Sequence, residues 1–220
     1  KENITFFSPE EDYDLYQAFY SSDYKNFEKL YKKYEKDPTK TKKTLPAVDI
    51  FTKILQERYE TGRIYIFHAD HVNQHGPFYE PIKMTNLCCE ILLPTTPVTY
   101  PGDTQYNHEE SLIALCTLSA INWGKFTPYI DLDPESSAAH RQDAKLRDAC
   151  DMAVRGLDAL LDYQEYPIEA ARRHSMKYRP LGIGIIGFAH WLAKGRLYWG
   201  ETNTLVEVET MMERMAYYLT

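Results

Sequence analysis

The sequence predicts an α/β protein on three observations: amphipathic runs at helical spacing, short β-branched and aromatic runs between them, and a long helical stretch leading to a Gly-rich apolar run. Residues 1–60 read as a helical lead-in. Asp23 to Tyr34 sets Phe27, Leu30, Tyr31 and Tyr34 on one helical face, and Ala47 to Tyr59 does the same with Ile50, Ile54 and Leu55. The charged stretch Glu35 to Pro46 between them reads as a solvated connection, with Lys40, Lys42 and Lys43 as a surface cluster. Residues 61–125 are expected to supply strands. Arg63 to Phe67 follows Gly62 and reads as a short buried strand, ended by a polar turn at Gly76 and Pro77. Ile91 to Leu93 and Leu112 to Leu118 are two more strand-like runs, separated by a Pro/Gly/Asn-rich excursion from Pro94 to Glu110. Residues 134–220 should supply helices and one further strand. Pro134 to Tyr163 carries a helical stripe of Ala144, Leu146, Ala149, Met152, Ala153, Leu157, Leu160 and Leu161 that must face a core. Leu181 to Ile186 reads as a Gly-rich apolar strand or buried segment, and Thr204 to Leu219 as a terminal amphipathic helix.

At 220 residues and 25.7 kDa the chain is long enough to bury a sizeable core. A net charge of -7 and a pI near 5.5 argue against a DNA or other phosphate-backbone binder, which needs a basic face. No stretch approaches the roughly 18 uninterrupted apolar residues of a membrane span, so a soluble, cytoplasmic protein is expected. Four cysteines, two of them adjacent, do not make a disulfide scaffold and invite a chemical reading. The chain opens at Lys1 without an initiator methionine and stops at Thr220 within a helical run, and is expected to be a piece of a longer polypeptide.

The chemistry-bearing segment is Asn86-Leu87-Cys88-Cys89-Glu90. In an extended backbone residues 86, 88 and 90 point to one side, so an amide, a sulfur and a carboxylate would converge on one small substrate. That set suits hydrogen abstraction coupled to proton transfer. The plainer alternative is that Cys88 and Cys89 are small buried hydrophobes.

The segment Thr85 to Ile91, followed by Leu92-Leu93-Pro94-Thr95, resembles the finger-loop signature of the class I ribonucleotide reductase large (alpha) subunit. The likeness continues through Ile113 to Asn122 around Cys116, upstream in Gln56-Glu57-Arg58 and Thr61 to Ile66, and downstream in Leu157 to Pro167 and Leu181 to Gly184. It implies part of a ten-stranded α/β barrel, with Cys88 at the tip of a central finger loop and helices around it. It also implies roles. Cys88 would carry a thiyl radical that abstracts the 3′-hydrogen of a ribonucleoside diphosphate, Glu90 would remove the 3′-hydroxyl proton, and Asn86 would orient the reacting hydroxyls. Asn86, Leu87, Cys88, Cys89 and Glu90 would together contact substrate. Cys116 would be one of two thiols that expel the 2′-hydroxyl as water and end as a disulfide.

The implied partners are a metal-containing, radical-generating small subunit, the remaining segments of the large subunit, and thioredoxin or glutaredoxin as reductant. The chain itself is expected to hold no cofactor or metal, and the regions that would bind ATP and dNTP effectors are missing from it. So are the second redox cysteine, the tyrosine pair for radical delivery and the phosphate loop, and the chain alone is expected to be inactive and prone to associate. Cys89 departs from the family, which usually has a non-cysteine there, and Cys150 matches no redox position and reads as packing.

Other motifs receive structural readings. His68, His71 and His75 with Asp70 suit a strand-to-loop exit rather than one helix face, which disfavours metal binding. Gly182 to Gly187 fits G-x-G-x-x-G, but its glycines lie inside the apolar run instead of after it. Arg172, Arg173, His174, Lys177 and Arg179 read as a solvated surface turn, and Tyr217-Tyr218 as core packing. Two rival functions remain: a glycyl-radical acyltransferase of the pyruvate formate-lyase kind, suggested by the Cys88-Cys89 doublet, and a non-catalytic assembly piece of a split reductase.

Overall fold

The computed structural model describes residues 2–21, 23–98 and 110–220. They form a mixed α/β chain that divides into two compact units, Lys1–Thr95 and Thr96–Thr220.

In the first unit, strand β1 (Asn3–Phe7) pairs antiparallel with β2 (Lys42–Pro46), in a register that sets Thr5 opposite Thr44. Helix α1 (Tyr13–Phe19) and helix α2 (Tyr24–Lys36) lie between them in sequence. The Asp23 side chain caps α2 by accepting from Asn26 N at 3.2 Å. The aromatic face read from the sequence then meets β1: the Phe7 ring lies 5.6 Å from Tyr31 and 6.1 Å from Tyr34. The Thr5 N–H donates to the Tyr31 hydroxyl at 2.7 Å, and that hydroxyl donates to Thr5 O at 3.0 Å.

Two sequence expectations change here. The lead-in is not purely helical, because its ends pair as a two-stranded sheet. The supposed solvated connection also carries structural cations. Lys40 is ion-paired with the buried Asp12 carboxylate and stands 4.2 Å over the Tyr34 ring, while the Lys42 ammonium donates to the Glu35 and Asp37 carbonyls, each at 2.7 Å. Charge pattern alone reads these lysines as solvated because it shows neither the carbonyls that Lys42 meets nor Asp12, 28 residues from Lys40.

Helix α3 (Ala47–Thr61) closes at Gly62, whose φ of 65° is the left-handed cap that glycine adopts freely. None of its residues is buried, and it presents Val48, Phe51, Leu55 and Tyr59 to the surface. The strand expected at Arg63 to Phe67 is not formed: the segment has no ladder partner among the described residues, and Tyr65 and Ile66 are exposed. β-propensity without a neighbouring strand leaves backbone groups unpaired, so the residues do not become a strand. The same holds for Ile91 to Leu93. Helix α4 (Ala69–His75) follows. It carries His71 and His75 one helical turn apart, which corrects the reading of these histidines as a loop exit.

In the second unit, β3 (Leu118–Asn122) pairs in parallel with β4 (Gly182–Ile186), Leu118 opposite Gly182 and Asn122 opposite Ile186. Strand β3 begins where the expected Leu112 to Leu118 strand was to end; upstream of it only Leu112 makes a bridge, to Thr96. Residues 99–109 of the Pro94 to Glu110 excursion lie outside the described residues. The crossover runs through a 3-10 turn at Trp123–Lys125, another at Tyr129–Asp131, helix α5 (Ser137–Tyr163) and helix α6 (Glu169–Tyr178). Helices α7 (Phe188–Lys194) and α8 (Thr202–Leu219) complete the unit.

Its core gathers Ile121, Trp123, Leu146, Cys150, Trp191 and Met211. The α5 stripe is narrower than the sequence suggests: Leu146, Cys150, Leu157 and Leu161 are buried, whereas Met152 is 73% exposed and Leu160 44%. A step of four, then seven, then four residues keeps one helical face, and positions 152 and 160 fall off it. Tyr218 packs against this core but Tyr217 is exposed, so only half of that aromatic pair does what was expected. Among the described residues there is no closed sheet, and no helix is long and apolar enough to cross a membrane.

Candidate active site

The segment holding Cys88 is a tight loop. Cys89 N donates to Asn86 O at 3.2 Å, which closes a turn over Leu87 and Cys88. Cys89 then takes a positive φ of 68°, a conformation that side-chain-bearing residues rarely adopt. The segment is therefore a turn, not the extended run in which residues 86, 88 and 90 would alternate onto one side. A turn wins over a strand because Ile91 closes the loop from across it. Asn86 N donates to Ile91 O at 3.4 Å, and Ile91 N donates to Asn86 Oδ1 at 3.0 Å.

A backbone N–H can only donate, so the Asn86 atom facing Ile91 is the oxygen. The Asn86 amide oxygen is thereby engaged in holding the loop neck. Asn86 is half-buried, whereas Leu87, Cys88 and Glu90 are exposed. The reading of Cys88 as a buried small hydrophobe does not survive, and Cys89 is only half-buried.

Sequence inspection missed what positions this loop. The Asn73 amide of α4 clamps the backbone leading into it, donating to Ile82 O at 3.0 Å and accepting from Ile82 N at 2.7 Å. Ile82 itself is buried. Lys83 reaches α1, donating to Gln17 Oε1 at 3.4 Å and lying 5.2 Å over the Tyr16 ring. Thr85 was also missed: its hydroxyl donates to Asn86 O at 2.9 Å and lies 3.4 Å from Cys89 Sγ. A threonine directly before an Asn-led turn is the one signal that could have pointed to it.

Cys116 is exposed and belongs to the second unit. Its segment is held on both flanks. Ile113 N donates to Ala170 O at 3.2 Å, the Arg173 guanidinium donates to Ser111 O at 3.2 Å, and Gly182 N donates to Thr117 O at 2.9 Å. Cys150, by contrast, is fully buried in the core, and burial pushes its thiol up from the ordinary value. It packs, as its sequence context suggested.

The basic run is on helix α6 rather than in a turn. Arg172 pairs with Glu169, Arg173 holds Ser111, His174 is buried, Lys177 lies 4.6 Å over the Tyr178 ring, and Arg179 forks onto Asp158 and Asp162. These cations are committed to internal partners, which a count of charges cannot reveal. The three imidazoles lie in a row, His68 to His71 at 5.6 Å and His71 to His75 at 6.4 Å between ring centroids. Among the described residues no three His, Cys, Asp or Glu side chains are placed to share a metal. The G-x-G-x-x-G run has its first glycines inside β4, and its last, Gly187, opens α7. A cleft of about 880 Å³ in the first unit, walled by Phe19, Tyr24, Phe27, Tyr31 and Phe67 and reached by His68 and Asp70, includes none of the residues from Asn86 to Glu90.

An exposed thiol on a braced loop, with an amide two residues before it and a carboxylate two residues after, is the candidate site of this α/β chain. All 220 residues match the family described as ribonucleotide reductase, barrel domain, and the chain belongs to that family. It is 45% identical over 219 residues to the ribonucleoside-diphosphate reductase subunit alpha of Haemophilus influenzae, covering 98% of this chain and 26% of that protein. It is 46% identical over 223 residues to the ribonucleoside-diphosphate reductase 1 subunit alpha of Escherichia coli K12, covering 99% and 26%. The subunit alpha of Enterobacteria phage T4 is 36% identical over 220 residues, covering 98% and 26%. The chain thus spans about a quarter of the length of these relatives. They carry the reductase description, and nothing in them favours the acyltransferase reading of the cysteine doublet.

Proposed function

We propose that the chain is the finger-loop-bearing part of the catalytic barrel of a ribonucleoside-diphosphate reductase alpha subunit, an oxidoreductase that makes deoxyribonucleotides in the cytoplasm. The observation that supports this most is the turn from Thr85 to Ile91, which leaves Cys88 exposed two residues from Asn86 and two from Glu90 in sequence.

In this reading a metal-containing small subunit supplies the radical, which comes to rest on Cys88. The Cys88 thiyl takes the 3′-hydrogen of a ribonucleoside diphosphate, giving a thiol and a substrate radical. Glu90, exposed and one residue past the turn, takes the 3′-hydroxyl proton. With its Oδ1 held by Ile91, Asn86 acts through its NH₂, donating to a ribose hydroxyl and fixing the sugar against displacement. Leu87 and Cys89 flank the sugar.

Cys116 is one of two thiols that reduce the substrate. The 2′-hydroxyl leaves as water, two electrons pass to the sugar, the two thiols become a disulfide, and Cys88 returns its hydrogen to C3′ and regains the radical. Thioredoxin or glutaredoxin then reduces the disulfide. ATP and dNTP effectors, the other redox thiol and the phosphate-binding loop belong to segments beyond this chain. The ten-stranded barrel closes only when those segments join the strands seen here, and both compact units are parts of that one domain.

The test is Cys88→Ser in the full-length polypeptide that carries this chain, assayed with its radical-generating subunit for conversion of CDP to dCDP. Loss of turnover to background is expected, with CDP binding retained. Wild-type turnover by that variant would refute the assignment, as would turnover by the isolated chain with the small subunit.

A further inference from the structure

We propose that Thr85 is a positioning residue that sorts the Cys88-Cys89 doublet, holding the Cys89 sulfur against its hydroxyl so that Cys88 alone is presented. The inference rests on the reading of Cys88 as the reacting thiol. Two thiols on adjacent residues pose a chemical problem, because whichever is free can take part in radical or exchange chemistry. The loop treats them differently. Cys88 sits exposed inside the turn, whereas Cys89 is half-buried at its end, in the left-handed region at φ 68°. Such a conformation persists in a residue with a side chain only when its surroundings hold it.

Thr85 is the group placed to do so. Its hydroxyl donates to Asn86 O at 2.9 Å, the same carbonyl that accepts from Cys89 N at 3.2 Å, and lies 3.4 Å from Cys89 Sγ. One side chain thereby touches both ends of the turn, its first carbonyl and its last sulfur. The carbonyl contact fixes the backbone that carries Cys88, and the sulfur contact turns Cys89 back toward the loop's own stem. Among the described residues no other side chain hydrogen-bonds either thiol.

The experiment is native-state alkylation of the full-length polypeptide with iodoacetamide, followed by mass spectrometry of the peptide that spans both cysteines. Wild type should be modified at Cys88 first. Thr85→Val keeps the shape and removes the hydroxyl, and should raise the ratio of Cys89 to Cys88 labelling about fivefold, the factor carried by one ordinary hydrogen bond. Thr85→Ser restores the hydroxyl and should restore the wild-type ratio, which a loss of packing would not allow. In turnover assays Thr85→Val should lower kcat for CDP with KM nearly unchanged, again rescued by Thr85→Ser. A labelling ratio in Thr85→Val within about twofold of wild type, or a Thr85→Ser protein that behaves like Thr85→Val, would overturn the inference. If Cys88→Ser were inactive while the ratio did not respond, only the role of Thr85 would fall; full activity of Cys88→Ser would sink the reductase reading, with the labelling ratio still deciding whether Thr85 holds Cys89.

Discussion

Glu207 offers a stringent test of how the second unit is held. It projects from α8, is 5% exposed, and its carboxylate accepts from two consecutive backbone groups, Tyr129 N and Ile130 N, the latter at 2.7 Å. These N–H groups begin a 3-10 turn and have no partner within it, so Glu207→Ala leaves two donors unserved. A hydrogen bond to a charged group contributes about 1.5–3 kcal/mol, and the desolvation of the buried carboxylate argues for the low end, so the loss is about 3 kcal/mol. Glu207→Gln keeps one carbonyl oxygen and should lose about half of that. With a urea m-value of about 2 kcal/mol/M, the midpoint falls by about 1.5 M for Ala and about 0.7 M for Gln.

Tryptophan fluorescence is the natural assay. The chain has three tryptophans, and Trp123, Trp191 and Trp199 all lie in the second unit, so the signal reports on that unit alone. Amide hydrogen exchange at Tyr129 and Ile130 gives a local check, with protection lost in the Ala variant. A Glu207→Ala midpoint within about 0.3 M of wild type would show that water replaces the carboxylate without cost, and the argument from buried donors would be wrong.

Two further outcomes follow from the same unit. Burial, and then its hydrogen bond to Asp143 at 2.6 Å, holds the Tyr129 phenol above its ordinary value of 10.0. The unfolded chain therefore releases this proton first, so the stability it contributes is complete below pH 10 and is lost as pH rises above it. Urea midpoints at pH 9 and pH 11 should diverge in wild type and diverge less in Tyr129→Phe; an unchanged slope would refute the coupling. Gly187 has φ 72°, and an added Cβ would come 2.4 Å from Asn122 Oδ1 and 2.9 Å from Gly124 N. Gly187→Ala should cost about 2 kcal/mol or more by thermal or urea unfolding, while Gly184→Ala, whose Cβ would meet nothing within 4 Å, should be close to neutral. Equal effects at the two glycines would contradict the steric account.

The sequence by itself determined the helices and singled out the candidate site. Helical spacing marked α2, α3, α5 and α8 to within three residues, the Gly-rich apolar run marked β4, and the adjacency of Asn86, Cys88 and Glu90 marked the candidate loop. These are local signals: a helix closes its hydrogen bonds within four residues, and a loop's side chains are neighbours whatever the rest of the chain does. Only the tertiary structure decided that β1 pairs with β2 across 34 intervening residues and more, that Arg63 to Phe67 finds no partner strand among the described residues, and that Lys40 and Arg179 are structural. It also decided that Asn73 braces the approach to Cys88, that the Asn86 amide oxygen is taken up by Ile91, and that Glu207 serves a turn 77 and 78 residues away. Strand pairing and the satisfaction of buried polar groups depend on which distant segments meet, and periodicity along a chain carries no record of that.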